Sequence, residues 1–108
     1  MIQIFAALSA AMAIAAAAFG AHGVQDPKAA EWLRTGGLYQ LIHAVAVLQL
    51  LPAMRQPAIL LLVGAAIFAL TLYAMAMGGP RWLGAVTPIG GVMMIAGWLW
   101  AAWQYRSS

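Results

Sequence analysis

The 108-residue chain has no cysteine, and only two acidic residues stand against five basic ones. Without thiols there can be no disulfides and no thiolate metal sites. The shortage of charge excludes more. Only 6% of the residues are charged and 66% are hydrophobic, with a mean hydropathy of +0.92. A soluble domain carries about 25% charged residues, because its surface must face water. Lipid must therefore be the solvent for most of this surface. The basic residues Lys28, Arg34, Arg55, Arg81 and Arg106 give a net charge of +3 but are scattered singly. They form no basic patch, so nucleic acid is not an expected partner.

What the chain does have is long apolar runs. A bilayer core of about 30 Å is crossed by about 20 helical residues rising about 1.5 Å each. Residues 2–21, 36–54, 58–77 and 86–105 meet that length, and all lack Asp, Glu, Lys and Arg. Backbone groups in lipid must pair internally, and the runs show no strict alternation, so helices are expected rather than barrel strands. The expected fold is all-α: an integral membrane four-helix bundle forming a single domain over residues 1–108. The first run has no Lys or Arg ahead of it, unlike a secretory signal, and is expected to be retained.

The connections carry turn chemistry. In GVQDPKAAEWLRTGG, Asp26 fits a helix N-cap and Pro27 a first helical position. Ala29, Ala30, Trp32 and Leu33 then read as a short interfacial helix between helices 1 and 2, ended by Gly36–Gly37. Ser9, Ala13, Ala17 and Ala21 recur at four-residue spacing, as do small residues around Gly90, Gly97 and Ala101. Such faces allow close helix packing within a bundle or in an oligomer seam. Trp32, Trp82, Trp103 and Tyr105 fall where aromatic rings anchor at headgroup level.

The polar residues are unevenly distributed. His22 ends the first run, while Tyr39, Gln40 and His43 crowd one face of the second. Thr71 and Tyr73 lie in the third run, and Thr87–Pro88 opens the fourth on the same side of the membrane. Such groups should turn inward and find partners. Interhelical hydrogen bonding and a proton- or ligand-handling role both remain open for His43, and capping is the simpler role for His22. Two histidines without a nearby carboxylate or thiolate do not make a zinc site, and no metal or cofactor is expected.

At these residues the chain resembles the YgdD-like family, a domain-of-unknown-function family of small bacterial membrane proteins. The ordered features are Phe19-Gly20-Ala21-His22-Gly23, Thr35-Gly36, Tyr39-Gln40-x-x-His43-Ala44, Leu72-Tyr73, Thr87-Pro88-Ile89-Gly90-Gly91 and Gly97-Trp98. One departure is Ala69-Leu70-Thr71, where the family carries a Ser-Gly-Ser run, although Thr71 keeps one hydroxyl. The resemblance implies a four-helix protein of the bacterial inner membrane and supplies no catalytic residue. Basic residues in the relatives' second connection and tail imply cytoplasmic termini.

The leading expectation is a structural or accessory membrane protein whose polar cluster locks the bundle. The alternative is an oligomeric transporter or channel for a small neutral or anionic solute, a lipid or a proton. A membrane enzyme is not expected, because no acid or oxyanion motif accompanies Tyr39, His43 and Thr71. Expected partners are membrane lipid and a homo-oligomer or larger membrane complex.

Overall fold

The computed structural model describes residues 1–106. Four long helices account for nearly all of them: α1 (Ile2–His22), α2 (Pro27–Leu50), α3 (Arg55–Ala76) and α4 (Leu83–Arg106). Successive helices run antiparallel, and the molecule measures 48 × 25 × 20 Å. α2 and α3 form the centre, with α1 packed along α2 and α4 along α3. α1 only grazes α3, and no Cα atoms of α1 and α4 come within 8 Å of each other. The outer helices thus lie against the central pair without closing a ring.

Local chemistry explains the helix ends. Asp26 caps α2 by accepting from the Lys28 backbone N–H, with Pro27 at the first position. α3 starts at Arg55, earlier than the apolar run, because Pro57 lies in a first turn whose N–H groups have no helical partner anyway. At its other end, Gly78 takes φ +96°. There Gly79 N–H reaches Ala74 O at 2.7 Å and Gly78 N–H reaches Met75 O at 3.1 Å, the paired bonds of a Schellman cap. α4 also starts early, at Leu83, so Thr87–Pro88 sits inside the helix rather than opening it.

The short interfacial helix is not formed. α2 runs unbroken for 24 residues, through Gly36 and Gly37. Neither glycine adopts a positive φ, the conformation that would end a helix there. Their missing side chains serve packing instead. A Cβ on Gly37 would stand 2.8 Å from the Ala13 carbonyl oxygen of α1, and one on Gly36 would stand 2.7 Å from the Tyr73 ring of α3. The same device joins α3 to α4, where a Cβ on Gly90 would lie 2.5 Å from Gly64 O. Close backbone approach, rather than glycine's weak helix propensity, decides these positions.

α1, α3 and α4 are long and apolar enough to cross a membrane. α2 is equally long but more polar, because Lys28, Glu31 and Arg34 occupy its first turns and Gln40, His43 and Gln49 follow. It is also flanked on both sides, and the core around Val47, Leu61 and Met94 is built against it.

Two neighbouring glycines separate packing from propensity. Gly90→Ala should cost about 1–3 kcal/mol of stability, because both atoms it meets closest belong to the α3 backbone. Gly91→Ala should leave stability unchanged or raised, since a Cβ there meets nothing closer than the Phe68 ring at 4.0 Å. Thermal unfolding in detergent followed by circular dichroism distinguishes the two. Equal melting temperatures would refute the close-approach account.

Candidate functional site

The structure buries Gln40, His43, Thr71 and Thr87 and distributes them over three separate connections. The first links three helices. The Tyr73 hydroxyl on α3 donates to Gln40 Oε1 on α2 at 2.6 Å. Gln40 Nε2 in turn donates to Ser9 Oγ on α1 at 2.9 Å and reaches Met12 Sδ at 3.6 Å. Both ends of the amide are therefore used.

The second connection joins α2 to α4. Trp98 Nε1–H donates to His43 Nε2 at 2.9 Å, and His43 Nδ1 lies 2.7 Å from the Tyr39 carbonyl oxygen. An indole N–H can only donate and a carbonyl can only accept. The imidazole must then carry its proton on Nδ1 and keep Nε2 bare. A second proton, on Nε2, would remove the lone pair that Trp98 uses. The rings reinforce this arrangement: His43 meets Trp98 edge-on at 5.8 Å, and Tyr39 meets Phe68 in the same manner at 5.1 Å.

The third connection joins α3 to α4, with Thr71 Oγ1 and Thr87 Oγ1 2.6 Å apart. Each hydroxyl has one proton, and one of the two must close this bridge. The other finds a carbonyl of its own helix: Thr71 has Ile67 O at 2.8 Å, and Thr87 has Leu83 O at 3.1 Å. Either assignment satisfies both side chains.

The expected single polar face of α2 is thus split. Gln40 serves α1 and α3, while His43 turns to α4. Tyr39 stays 43% exposed and contributes its carbonyl and ring rather than its hydroxyl. Among the described residues, the Tyr39 hydroxyl, the His43 ring and the Thr71 hydroxyl make no hydrogen bond to one another; the imidazole meets only the Tyr39 backbone carbonyl. His22 remains at the exposed end of α1 and joins none of the three connections. With α2 unbroken, His43 lies about 14 Å beyond Arg34 by helical rise, and Trp98 lies about 12 Å short of Arg106. The pair is near the middle of the bundle rather than under one face.

Ser9, Met12 and Trp98 are the participants that sequence reasoning missed. Trp98 follows Thr87 by three helical turns and so shares its face of α4, a signal that was available. Ser9 was recognised only as a small packing residue. Two clefts flank the connections: one of about 380 Å³ beside His43 and Trp98, and one of about 510 Å³ beside Ser9 and Gln40. Among the described residues, no three His, Asp or Glu side chains gather at one place.

The family described as "Protein of unknown function (DUF423)" matches residues 16–91. The UPF0382 inner membrane protein YgdD of Escherichia coli K12 is 37% identical over 106 residues, covering 88% of this chain and 81% of the relative. A UPF0382 membrane protein of Staphylococcus saprophyticus is 37% identical, covering 89% and 88%. One from Haemophilus influenzae is 36% identical over 103 residues, covering 86% and 83%. No solved structure matches the chain.

The tautomer can be checked directly. Nitrogen-15 shifts of His43 should show a protonated Nδ1 and a bare Nε2, and Trp98→Phe should alter the Nε2 signal most. A protonated Nε2 in the folded protein would contradict the hydrogen-bond assignment.

Proposed function

Since the chain belongs to the DUF423 family, whose relatives are named membrane proteins, we propose a structural or accessory role in the bacterial inner membrane, with the polar connections acting as helix-to-helix fasteners. One observation carries this reading: among the described residues, no buried side-chain nitrogen or oxygen lacks a hydrogen-bond partner. A transport or catalytic site needs polar capacity left over for a solute or reactant. Here the imidazole, the amide and the threonine hydroxyls are each already taken by partners within the bundle.

In this reading α2 also crosses the membrane, its polar side chains covered by α1, α3 and α4. The N-terminal end of α1 and the C-terminal end of α4 face the cytoplasm, an orientation taken from the resemblance. This chain's own basic residues are split two (Arg55, Arg106) against three (Lys28, Arg34, Arg81) between the two sides. The protein is not an enzyme: His43 has no nucleophile within its hydrogen-bonding set, and Trp98 occupies the lone pair a general base would need.

Interhelical hydrogen bonds in membranes are worth about 0.6 kcal/mol on average and up to about 1.7. Leaving a buried partner unpaired costs more, about 1–3 kcal/mol. His43→Ala orphans the Trp98 N–H, and Gln40→Leu orphans the Tyr73 hydroxyl. Each should lower the melting temperature in detergent, and proteoliposomes should show the same solute and proton leak as wild type. A variant that is equally stable but altered in flux would favour the transporter alternative instead.

A further inference from the structure

We infer that the cleft between α2 and α4 holds one anionic phospholipid from the surrounding leaflet, its acyl chain over Phe68 and its phosphate at Lys28. This rests on the reading that α2 crosses the membrane, and it goes beyond the fastening role.

The cleft beside Trp98 continues into a second one, of about 370 Å³, and Phe68 lines both. Each central stretch of helix contributes one stripe to the combined furrow. On α2 these are Lys28, Trp32, Tyr39 and His43, at steps of four and seven residues, which is one helical face. On α4, Pro88, Gly91, Ile95 and Trp98 follow at steps of three and four residues, also one helical face, and α3 adds Phe68 and Leu72 between them. From Lys28 to His43 the furrow is about 22 Å long by helical rise. That is about half of a 40–45 Å bilayer measured with its headgroups, hence the depth of one leaflet.

Its two ends differ in chemistry. At the deep end both His43 nitrogens are engaged, and apart from the Tyr39 hydroxyl the remaining lining is apolar. At the mouth, the exposed Lys28 ammonium lies 5.5 Å from the Trp32 ring centroid, with no salt bridge to Asp26 or Glu31. A cation above an apolar trough complements an anionic headgroup above an acyl chain. Gly91 keeps the trough open, for a Cβ there would meet only the Phe68 ring, at 4.0 Å. Unlike Gly64 and Gly90, it is not needed for backbone contact.

The test is native mass spectrometry of the full-length protein, extracted mildly and equilibrated with equimolar phosphatidylglycerol and phosphatidylcholine. Wild type should retain one phospholipid and prefer phosphatidylglycerol. Lys28→Gln should keep a lipid but lower that preference about fivefold, the factor matching about 1 kcal/mol for one basic side chain near an anionic surface. Gly91→Leu should lose both lipids while its melting temperature holds. Ile95→Trp, at a position 61% exposed in the same furrow, provides a second plug should leucine disturb the packing. Arg34→Gln, beside the separate cleft between α1 and α2, should change nothing. The inference is overturned by a wild type that binds no lipid, by binding that survives both plugs, or by a headgroup preference that depends on Arg34 rather than Lys28. A lipid-free dimer broken by Gly91→Leu would also overturn it, because a second copy would then fill the furrow. Failure of the fastening role appears elsewhere, as an unchanged melting temperature in His43→Ala.

Discussion

In hydrocarbon a polar side chain has no water to fall back on, so every buried one must be answered by another part of the protein. That requirement organises this bundle. Gln40 is answered from α1 and α3 together, His43 from α4, and Thr71 by Thr87. The net gain of any one such bond is small, but the penalty for a shifted register is not, since a slip of one turn would leave several groups unanswered at once. The glycines act differently. Gly37, Gly64 and Gly90 set how closely backbones approach, and the hydrogen bonds set which residues then face each other.

This division of labour marks what could be read from the chain alone. Composition and run length sufficed for four helices and a lipid surface, and Asp26–Pro27 marked a helix start, although in the sequence it reads as that of a short separate helix rather than of α2. Gly36–Gly37 misled because glycine weakens a helix locally yet permits close packing, and only the neighbouring helices decide between these effects. Thr87–Pro88 misled similarly: a proline in the second turn is tolerated once Leu83 and its neighbours have started the helix upstream. The polar residues were identifiable as a set, but their pairing was not. Gln40 and His43 are three residues apart, near enough to look like one face, and they diverge because α1 and α4 lie on different sides of α2. In the sequence Trp98 figures only within the Gly97-Trp98 pair and has no assigned partner, whereas its N–H supplies the donor that fixes the histidine tautomer.

The same geometry explains why the most polar helix is central and why a furrow opens on one flank of it. If α2 crosses the membrane as proposed, Gln40 and His43 cannot face lipid, and the structure covers them on both flanks. Towards α1 the cover is made through Gly37 and Ala13, and the two backbones come close. Towards α4 it is made through rings: Trp98 reaches across to His43 while Phe68 and Tyr39 pack edge-on beneath. No Cα atoms of α2 and α4 come within 8 Å. An interface built on glycine closes, whereas one built on a single indole–imidazole bond holds two helices at arm's length. The gap left between them follows from satisfying His43 with a long donor instead of a close backbone, and it is the furrow that the proposed acyl chain would occupy.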